Sequence, residues 1–289
     1  MRVICINLKT SVMVRKIAFF VASVPLLALL ATACTPPSER DDRERARAEP
    51  VFPAADRPVS ALGATAFADE EVRDTRQEAA TVMQLAGIRP GMSIADIGAG
   101  EGYYTVRLAE AVGESGRVLA QDIDRGALLR LGDRVEQERL DNVSIVPGEP
   151  ADPRLPPDSF DRVFMVHMYH EVSEPFAFLW RLRPSLRPGG RVVVVDVDRQ
   201  TDRHGMPPQQ LFCEFDQLGF RLTEFVRTPA LSGYYAMFEA VGPRPDPQEI
   251  TPCTQAGTQT GGQARNQARI VPGPQTQTGA PDAARDKDG

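Results

Sequence analysis

Five short apolar runs are spaced along the middle of the chain. They cover Met92–Ile97, Arg117–Gln121, Val143–Val146, Arg162–Val166 and Arg191–Val197. Apolar runs of this length without strict alternation are typical of strands that are buried on both faces of a sheet. The pattern therefore predicts five parallel strands.

Helical periodicity fills the segments between these runs. Two helices are predicted by the spacing of Tyr104, Leu108 and Val112 and of Leu128, Leu131 and Val135. A third is expected from Phe176 to Leu186, and a further helix near Pro208–Leu218. Alternating strands and helices indicate a parallel sheet with helices on both faces. Two later runs, Phe220–Val226 and Tyr234–Val241, predict an antiparallel hairpin at the end of the domain.

The N-terminus has the pattern of a secretory signal. Arg15 and Lys16 precede an apolar stretch, residues 17–33, which ends in small residues before Cys34. The stretch contains Pro25 and is barely long enough to cross a hydrocarbon core of about 30 Å, so a cleaved signal is favoured over a permanent span. We predict a signal peptide over residues 1–33.

The end of this stretch, Ala31-Thr32-Ala33-Cys34, resembles the lipobox of bacterial lipoproteins. The resemblance implies acylation of Cys34 and an exported protein anchored to the cell envelope. In that family Leu usually stands where Ala31 stands here. Thr35 after the cysteine resembles the signal for the periplasmic face of the outer membrane. The Pro-rich, charged residues 34–60 would then be a tether.

Composition also indicates the C-terminal boundary of the folded domain. Residues 244–289 are dominated by Pro, Gln, Thr and Gly without apolar periodicity, which predicts a disordered tail. The folded domain is therefore expected over 61–243. The formal net charge of −6 and a pI near 5.3 argue against a nucleic-acid partner.

Two of the four cysteines, Cys213 and Cys253, remain once the signal and the lipidated cysteine are set aside. An oxidising compartment would permit a disulfide between them. The chain has no C-x-x-C and no Cys/His ligand spacing, so no metal site is expected.

A glycine-rich turn ends the first predicted strand, in the sequence Asp96-Ile97-Gly98-Ala99-Gly100-Glu101-Gly102-Tyr103. Alternating glycines let the backbone approach a ligand closely. A nicotinamide fingerprint needs a small residue at the position of Tyr103, which disfavours an oxidoreductase. The spacing D-x-G-x-G-x-G resembles motif I of class I S-adenosylmethionine-dependent methyltransferases. That resemblance implies a Rossmann-like α/β three-layer sandwich with a mostly parallel seven-stranded sheet and a C-terminal antiparallel hairpin.

The same resemblance implies how S-adenosylmethionine would be held. The methionine part would lie against Asp96, Gly98, Ala99, Gly100, Gly102 and Tyr103. Asp122, 24 residues after Gly98, would accept hydrogen bonds from the ribose hydroxyls, with Ile123 beside it. Asp152 either meets the adenine amino group or caps a helix. Asp124 fits a helix cap better than a ribose ligand.

The fourth strand leads into His167-Met168-Tyr169-His170-Glu171, which resembles a subset of small methyltransferases with a Tyr-His motif at this place. Ligands bind at the carboxyl ends of such strands. His167 is expected in the cofactor pocket, where the subset usually carries an acid. His170 is the candidate base, with Tyr169 to orient it and Glu171 to hold its ring. The alternative is that His170 only lines the pocket.

The expected activity is methyl transfer to a small molecule. The loop from Asp198 to Pro207 is short, and no inserted substrate domain interrupts the pattern. The alternative function is an inactive lipoprotein that kept the fold for binding or scaffolding, because S-adenosylmethionine is a cytosolic metabolite and the predicted signal peptide would export this chain.

Overall fold

The computed structural model describes residues 50–62, 69–253 and 269–270. The helices are α1 Glu70–Thr75, α2 Glu78–Leu85, α3 Tyr103–Val112, α4 Arg125–Glu138, α5 Pro175–Leu182 and α6 Pro208–Gln217. The strands are β1 Ser93–Ile97, β2 Arg117–Asp122, β3 Val143–Pro147, β4 Phe160–Val166, β5 Leu186–Asp196, β6 Phe220–Thr228, β7 Gly233–Ala240 and β8 Arg269–Ile270. The predicted signal peptide and Cys34 lie outside these ranges.

One sheet contains all the described strands, in the order β3-β2-β1-β4-β5-β7-β6-β8. Strands β1 to β5 are parallel, and β7 is antiparallel to both β5 and β6. The predicted α/β sandwich, with its parallel sheet and terminal hairpin, is confirmed. The two-residue β8 adds a short edge strand beside β6. In the described ranges no helix is long and apolar enough to cross a membrane.

Helices cover both faces of the sheet, and the alternating side chains of β5 show why. Val192 and Val194 pack into one apolar cluster with α5 and α6. Val193 and Val195 pack into the other, with α2 and α3. Successive side chains of a strand point to opposite faces, so a continuous apolar run can fill two cores at once.

The third predicted helix ends earlier than expected. It was predicted to reach Leu186, but α5 ends at Leu182 and a 3₁₀ turn follows over Arg183–Ser185. Pro184 explains the difference, because proline has no N–H for the helical ladder and disfavours helical backbone at the residue before it. Strand β5 consequently begins at Leu186, five residues before the predicted start at Arg191.

The predicted tether is wrong for residues 50–60. Arg57 and Ser60 are buried. Arg57 Nε donates to Glu214 Oε1 on α6 at 2.7 Å, and Ser60 N donates to the carbonyl oxygen of His170 at 3.3 Å. The polar composition of this segment predicts a spacer, because the sequence does not show that Arg57 has a buried partner, Glu214, far along the chain. This segment is part of the domain.

The predicted disordered tail is likewise wrong for residues 244–253 and for β8. Ile250 and Cys253 are buried against the apolar cluster that contains α6. Cys253 forms a disulfide with Cys213. The disulfide and the packing of Ile250 order this segment, although its sequence has no apolar periodicity. The rest of the predicted tail lies outside the described residues.

Candidate functional site

The glycine-rich turn joins β1 to α3 at the carboxyl edge of the sheet. Gly98 N and Ala99 N both donate to the carbonyl oxygen of Gln121 on β2, at 2.8 and 3.0 Å. Gly98 has φ +69°, and a Cβ there would lie 2.8 Å from Met168 Cγ. Gly100 has φ +54°, and a Cβ there would meet no atom within 4 Å. The turn is therefore closed by Met168 at Gly98 and open at Gly100.

Asp122, at the end of β2, is tied to this turn. Its Oδ2 accepts from Gly100 N at 2.8 Å and its Oδ1 accepts from Asp124 N at 2.9 Å. A carboxylate oxygen has two lone pairs, so the half-buried carboxylate keeps acceptor capacity for a ligand. Asp124 instead caps α4 by accepting from Gly126 N at 2.7 Å, which confirms the predicted cap.

Asp96, the one acidic residue of β1, is almost completely buried. Its Oδ2 accepts from Thr105 Oγ1 of α3 at 2.6 Å. Burial raises the pKa of Asp96 to about 6, against the opposing effect of the Thr105 hydrogen bond. The carboxylate thus fixes the start of α3 relative to β1.

A buried carboxylate that sequence reasoning missed, Glu78 at the start of α2, lies beside the turn. Its Oε1 accepts from Arg73 Nη2 at 2.7 Å and from Tyr104 Oη at 3.1 Å. His167 Nε2 is 3.5 Å from the same oxygen. Burial alone would raise the pKa of Glu78, but the hydrogen bond and charge of His167, with those of Arg73, lower it to about 2. No sequence signal distinguished Glu78 from a solvent-facing helix residue.

The remaining predicted cofactor residues fall at the same edge. Tyr103 follows Gly102 at the start of α3, and its hydroxyl donates to Asp74 Oδ1 at 2.9 Å. The Arg73 guanidinium carbon lies 3.7 Å from the centroid of the Tyr103 ring. Half-buried Ile123 follows Asp122. Their predicted contacts with the cofactor stay predictions.

Asp152 lies in the loop after β3. Its Oδ1 accepts from Arg154 N at 2.8 Å, and its backbone pairs with that of Glu149. No helix follows it in the described residues between β3 and β4, so the helix-cap alternative is wrong. Asp152 forms a local turn instead. Its predicted contact with adenine stays a prediction.

His170 and Asp196 form a buried pair at the ends of β4 and β5. Both side chains are inaccessible to solvent, and His170 Nδ1 lies 3.0 Å from each carboxylate oxygen of Asp196. The prediction that Glu171 holds the ring is wrong, because Asp196 occupies the Nδ1 side and Glu171 Oε1 is 4.0 Å from Nε2. Sequence reasoning does not name Asp196 as the partner of His170. The available signal is its position, because Asp196 is an acid at the end of β5, the strand next to β4.

Tyr169 does not orient His170, contrary to the prediction. Its Oη donates to Glu214 Oε2 at 2.7 Å, inside the core, and its ring packs against Phe215. Residues 169–171 form a 3₁₀ turn, so neighbouring side chains diverge to different surroundings. Tyr169 therefore anchors the turn to α6, and His170 is oriented by Asp196.

Several known methyltransferases are similar to this chain. Residues 94–190 match the model of a methyltransferase domain family. A ubiquinone/menaquinone biosynthesis C-methyltransferase of Hahella chejuensis is 30% identical over 119 residues, which are 40% of this chain and 47% of that protein. Its namesake in Teredinibacter turnerae is 26% identical over 175 residues, 58% of this chain and 67% of that protein.

A solved structure shares the fold. The S-adenosylmethionine-dependent methyltransferase of Aquifex aeolicus superposes with a TM-score of 0.51 at 24% identity, over 59% of this chain and 96% of that one. The chain spans about half the length of several curated relatives that it matches, as for that of Hahella chejuensis. The segment matched by the family model, residues 94–190, is similar to methyltransferase domains, and the Aquifex aeolicus protein that shares the fold is an S-adenosylmethionine-dependent methyltransferase.

Proposed function

We propose that this domain binds S-adenosylmethionine at the carboxyl ends of β1, β2 and β4 and transfers its methyl group to a small molecule. The observation that carries the proposal is the joint geometry of the glycine turn and Asp122. Gly100 is open on the side where a Cβ would stand, and Asp122 is held against it with acceptor capacity to spare. A ribose diol fits the remaining acceptor capacity of this carboxylate, and a methionine moiety fits the open space beside Gly100.

The protein's own contribution to catalysis is positional. The cofactor supplies an activated methyl group, so the chain must bind both reactants, exclude water and align them. The buried Asp96, Glu78 and Asp196 fix the loops that end β1, β4 and β5 in a dry environment. The proposed acceptor position is at the ends of β4 and β5, beside His170. The role of His170 as a base stays a prediction.

A small acceptor is supported by the connections around this edge. Residues 197–207 link β5 to α6 with only a 3₁₀ turn, Thr201–Arg203, and Ser60 Oγ donates to the Thr201 carbonyl oxygen. In the described residues no inserted domain stands there to receive a macromolecule. The curated relatives are named for quinone biosynthesis, and quinones are small molecules.

Methyl-labelled S-adenosylmethionine tests the activity. The full-length chain is incubated with the labelled cofactor and a low-molecular-mass extract of the cell envelope, and the label is followed into small products. The wild type and Asp124→Asn should label a product, whereas Asp122→Asn should not. Each variant removes one carboxylate from the same loop, so the comparison isolates Asp122. Equal labelling by both variants would contradict the proposal.

We also propose that the protein is exported and anchored to the envelope through acylated Cys34, on the periplasmic face of the outer membrane. The disulfide between Cys213 and Cys253 supports an oxidising compartment. More than one acyl chain would be needed for a stable anchor. Labelled palmitate should enter the wild type and Cys5→Ser but not Cys34→Ser, which should leave the membrane fraction. Membrane association of an unlabelled Cys34→Ser protein would contradict the anchor.

A further inference from the structure

Three side chains at the ends of β4 and β5 surround a common point. His170, Glu171 and His204 each offer one ligand atom, and these atoms lie within 4.8 Å of one another. The two imidazole rings stand edge to face, with centroids 5.8 Å apart and an interplanar angle of 84°. The three residues come from two loops, so sequence spacing gave no sign of the cluster.

His170 is prepared to act as a ligand. Its side chain has no solvent exposure, and its Nδ1 faces the Asp196 carboxylate at 3.0 Å. A carboxylate on Nδ1 favours the tautomer with the proton there and leaves the Nε2 lone pair available. Nε2 is buried and has no hydrogen-bond partner among the described residues. A buried polar atom without a hydrogen-bond partner is unfavourable, and a bound ion would satisfy it.

The loop that carries His204 is held in place. His204 has φ +53°, in the left-handed region, and its Nδ1 is also buried without a partner in the described part of the chain. Met206 N donates to the Val197 carbonyl oxygen at 2.8 Å. A Cβ on Gly205 would lie 2.7 Å from that same oxygen, so the loop packs tightly against the end of β5. The His204 imidazole is therefore held in position by a loop that packs against the end of β5.

We propose that His170, Glu171 and His204 bind a divalent transition-metal ion such as Zn²⁺, with Asp196 orienting His170 from behind. Two imidazoles and one carboxylate are a common donor set for such ions, with further positions open to water or substrate. Ligand atoms about 2.0–2.1 Å from a tetrahedral ion lie roughly 3.3 Å apart, so the cluster closes by at most about 1.5 Å on binding.

The charges around the cluster suit a cation. Asp196 and Glu171 contribute two carboxylates, while the nearby cation Arg57 is already paired with Glu214. The ion would stand at the edge of the sheet where the methyl acceptor is proposed, and its open positions would favour an acceptor that coordinates through oxygen. The binding of the ion itself does not depend on the methyltransferase activity.

Zn²⁺ binding by the chelator-stripped, untagged, full-length chain tests the site, measured by calorimetry. Because the chain contains three histidines in all, the matched control is His167→Gln, which removes the one histidine outside the cluster. His204→Gln and Glu171→Gln should each weaken Zn²⁺ binding at least tenfold, whereas His167→Gln should not. Asp196→Asn should weaken it about 10–100-fold through misorientation of the ring.

Co²⁺ provides a second readout, because its visible absorption reports coordination directly. The wild type and His167→Gln should give the bands of low-symmetry nitrogen and oxygen coordination, and His204→Gln should not. Circular dichroism checks that each variant is folded. No Zn²⁺ binding by the folded wild type, or equal binding by wild type and His204→Gln, would overturn the proposal. Separate titration with S-adenosylmethionine keeps a failure here distinct from a failure of the proposed function.

Discussion

Arg57 and Glu214 form an ion pair that joins the N-terminal segment to α6 in the interior. Arg57 Nε donates to Glu214 Oε1 at 2.7 Å, and the side chains are 1% and 0% exposed. Glu214 also accepts from Tyr169 Oη at 2.7 Å and from Gln210 Nε2 at 2.9 Å. Arg57 donates further to the carbonyl oxygens of His170 and Val172. The pair therefore supports the turn that carries His170.

Loss of one partner of this pair should be costly. Arg57→Met should lower the free energy of unfolding by about 3–5 kcal/mol, because Glu214 is left charged and unpaired in the core. Arg227→Met is the matched control, since it breaks an exposed pair with Asp198 that is worth about 0–1 kcal/mol. Urea denaturation measures both. An equal, small effect of the two changes would contradict the structural role of Arg57.

The disulfide should stabilise the domain through the loop that it closes. Cys213 and Cys253 are separated by 40 residues, and a loop of that length predicts a contribution of about 4 kcal/mol. Cys213→Ser, Cys253→Ser and the double variant should lose similar stability, and a reducing agent should produce the same loss in the wild type. Unfolding curves that do not respond to the reducing agent would contradict this bond.

The lowered pKa of Glu78 makes stability depend on acid pH. The folded pKa of about 2 lies below the ordinary value of 4.5, so its contribution is present above pH 4.5 and is lost as the pH falls towards 2. Glu78→Gln should be less stable than the wild type by about 3 kcal/mol at neutral pH, with the difference shrinking across that window. Glu110→Gln, an exposed change on α3, should show no such dependence. A pH-independent difference for Glu78→Gln would be inconsistent with this assignment.

Asp96 should behave in the opposite way. Burial raises its pKa from 3.8 to about 6, so the folded state disfavours the carboxylate, and stability is lost as the pH rises through this range. Asp96→Asn should be more stable than the wild type above pH 6, by up to about 3 kcal/mol, because the amide oxygen can still accept from Thr105. The gain should vanish below pH 3.8. Destabilisation at all pH values would contradict it.

The sheet and its glycine turn were predictable because their signals are local. A buried parallel strand must be apolar along its length, and a turn with positive φ at alternate positions needs glycine. The position of Asp122 beside this turn is predictable because it ends β2, the strand next to β1. Short stretches of chain therefore predict the fold and bring the glycine turn and Asp122 to one edge of the sheet.

The contacts that were missed join distant parts of the chain. Glu171 was expected to hold His170 because it is adjacent in sequence, but the sheet brings Asp196 to the Nδ1 atom. Arg57 and Cys253 lie in segments whose composition indicates a spacer and a tail. One buried ion pair and one disulfide order these segments, and neither leaves a periodic signal in the sequence.

Binding of S-adenosylmethionine to the full-length chain tests the central claim most directly. Calorimetry should show micromolar affinity, on the order of −8 kcal/mol, for the wild type. Asp124→Asn should bind as well as the wild type, because asparagine also caps a helix. Asp122→Asn should lose at least tenfold, because its amide group cannot accept at both of its polar atoms. No binding by the folded wild type at millimolar cofactor, or unchanged binding by Asp122→Asn, would contradict the account.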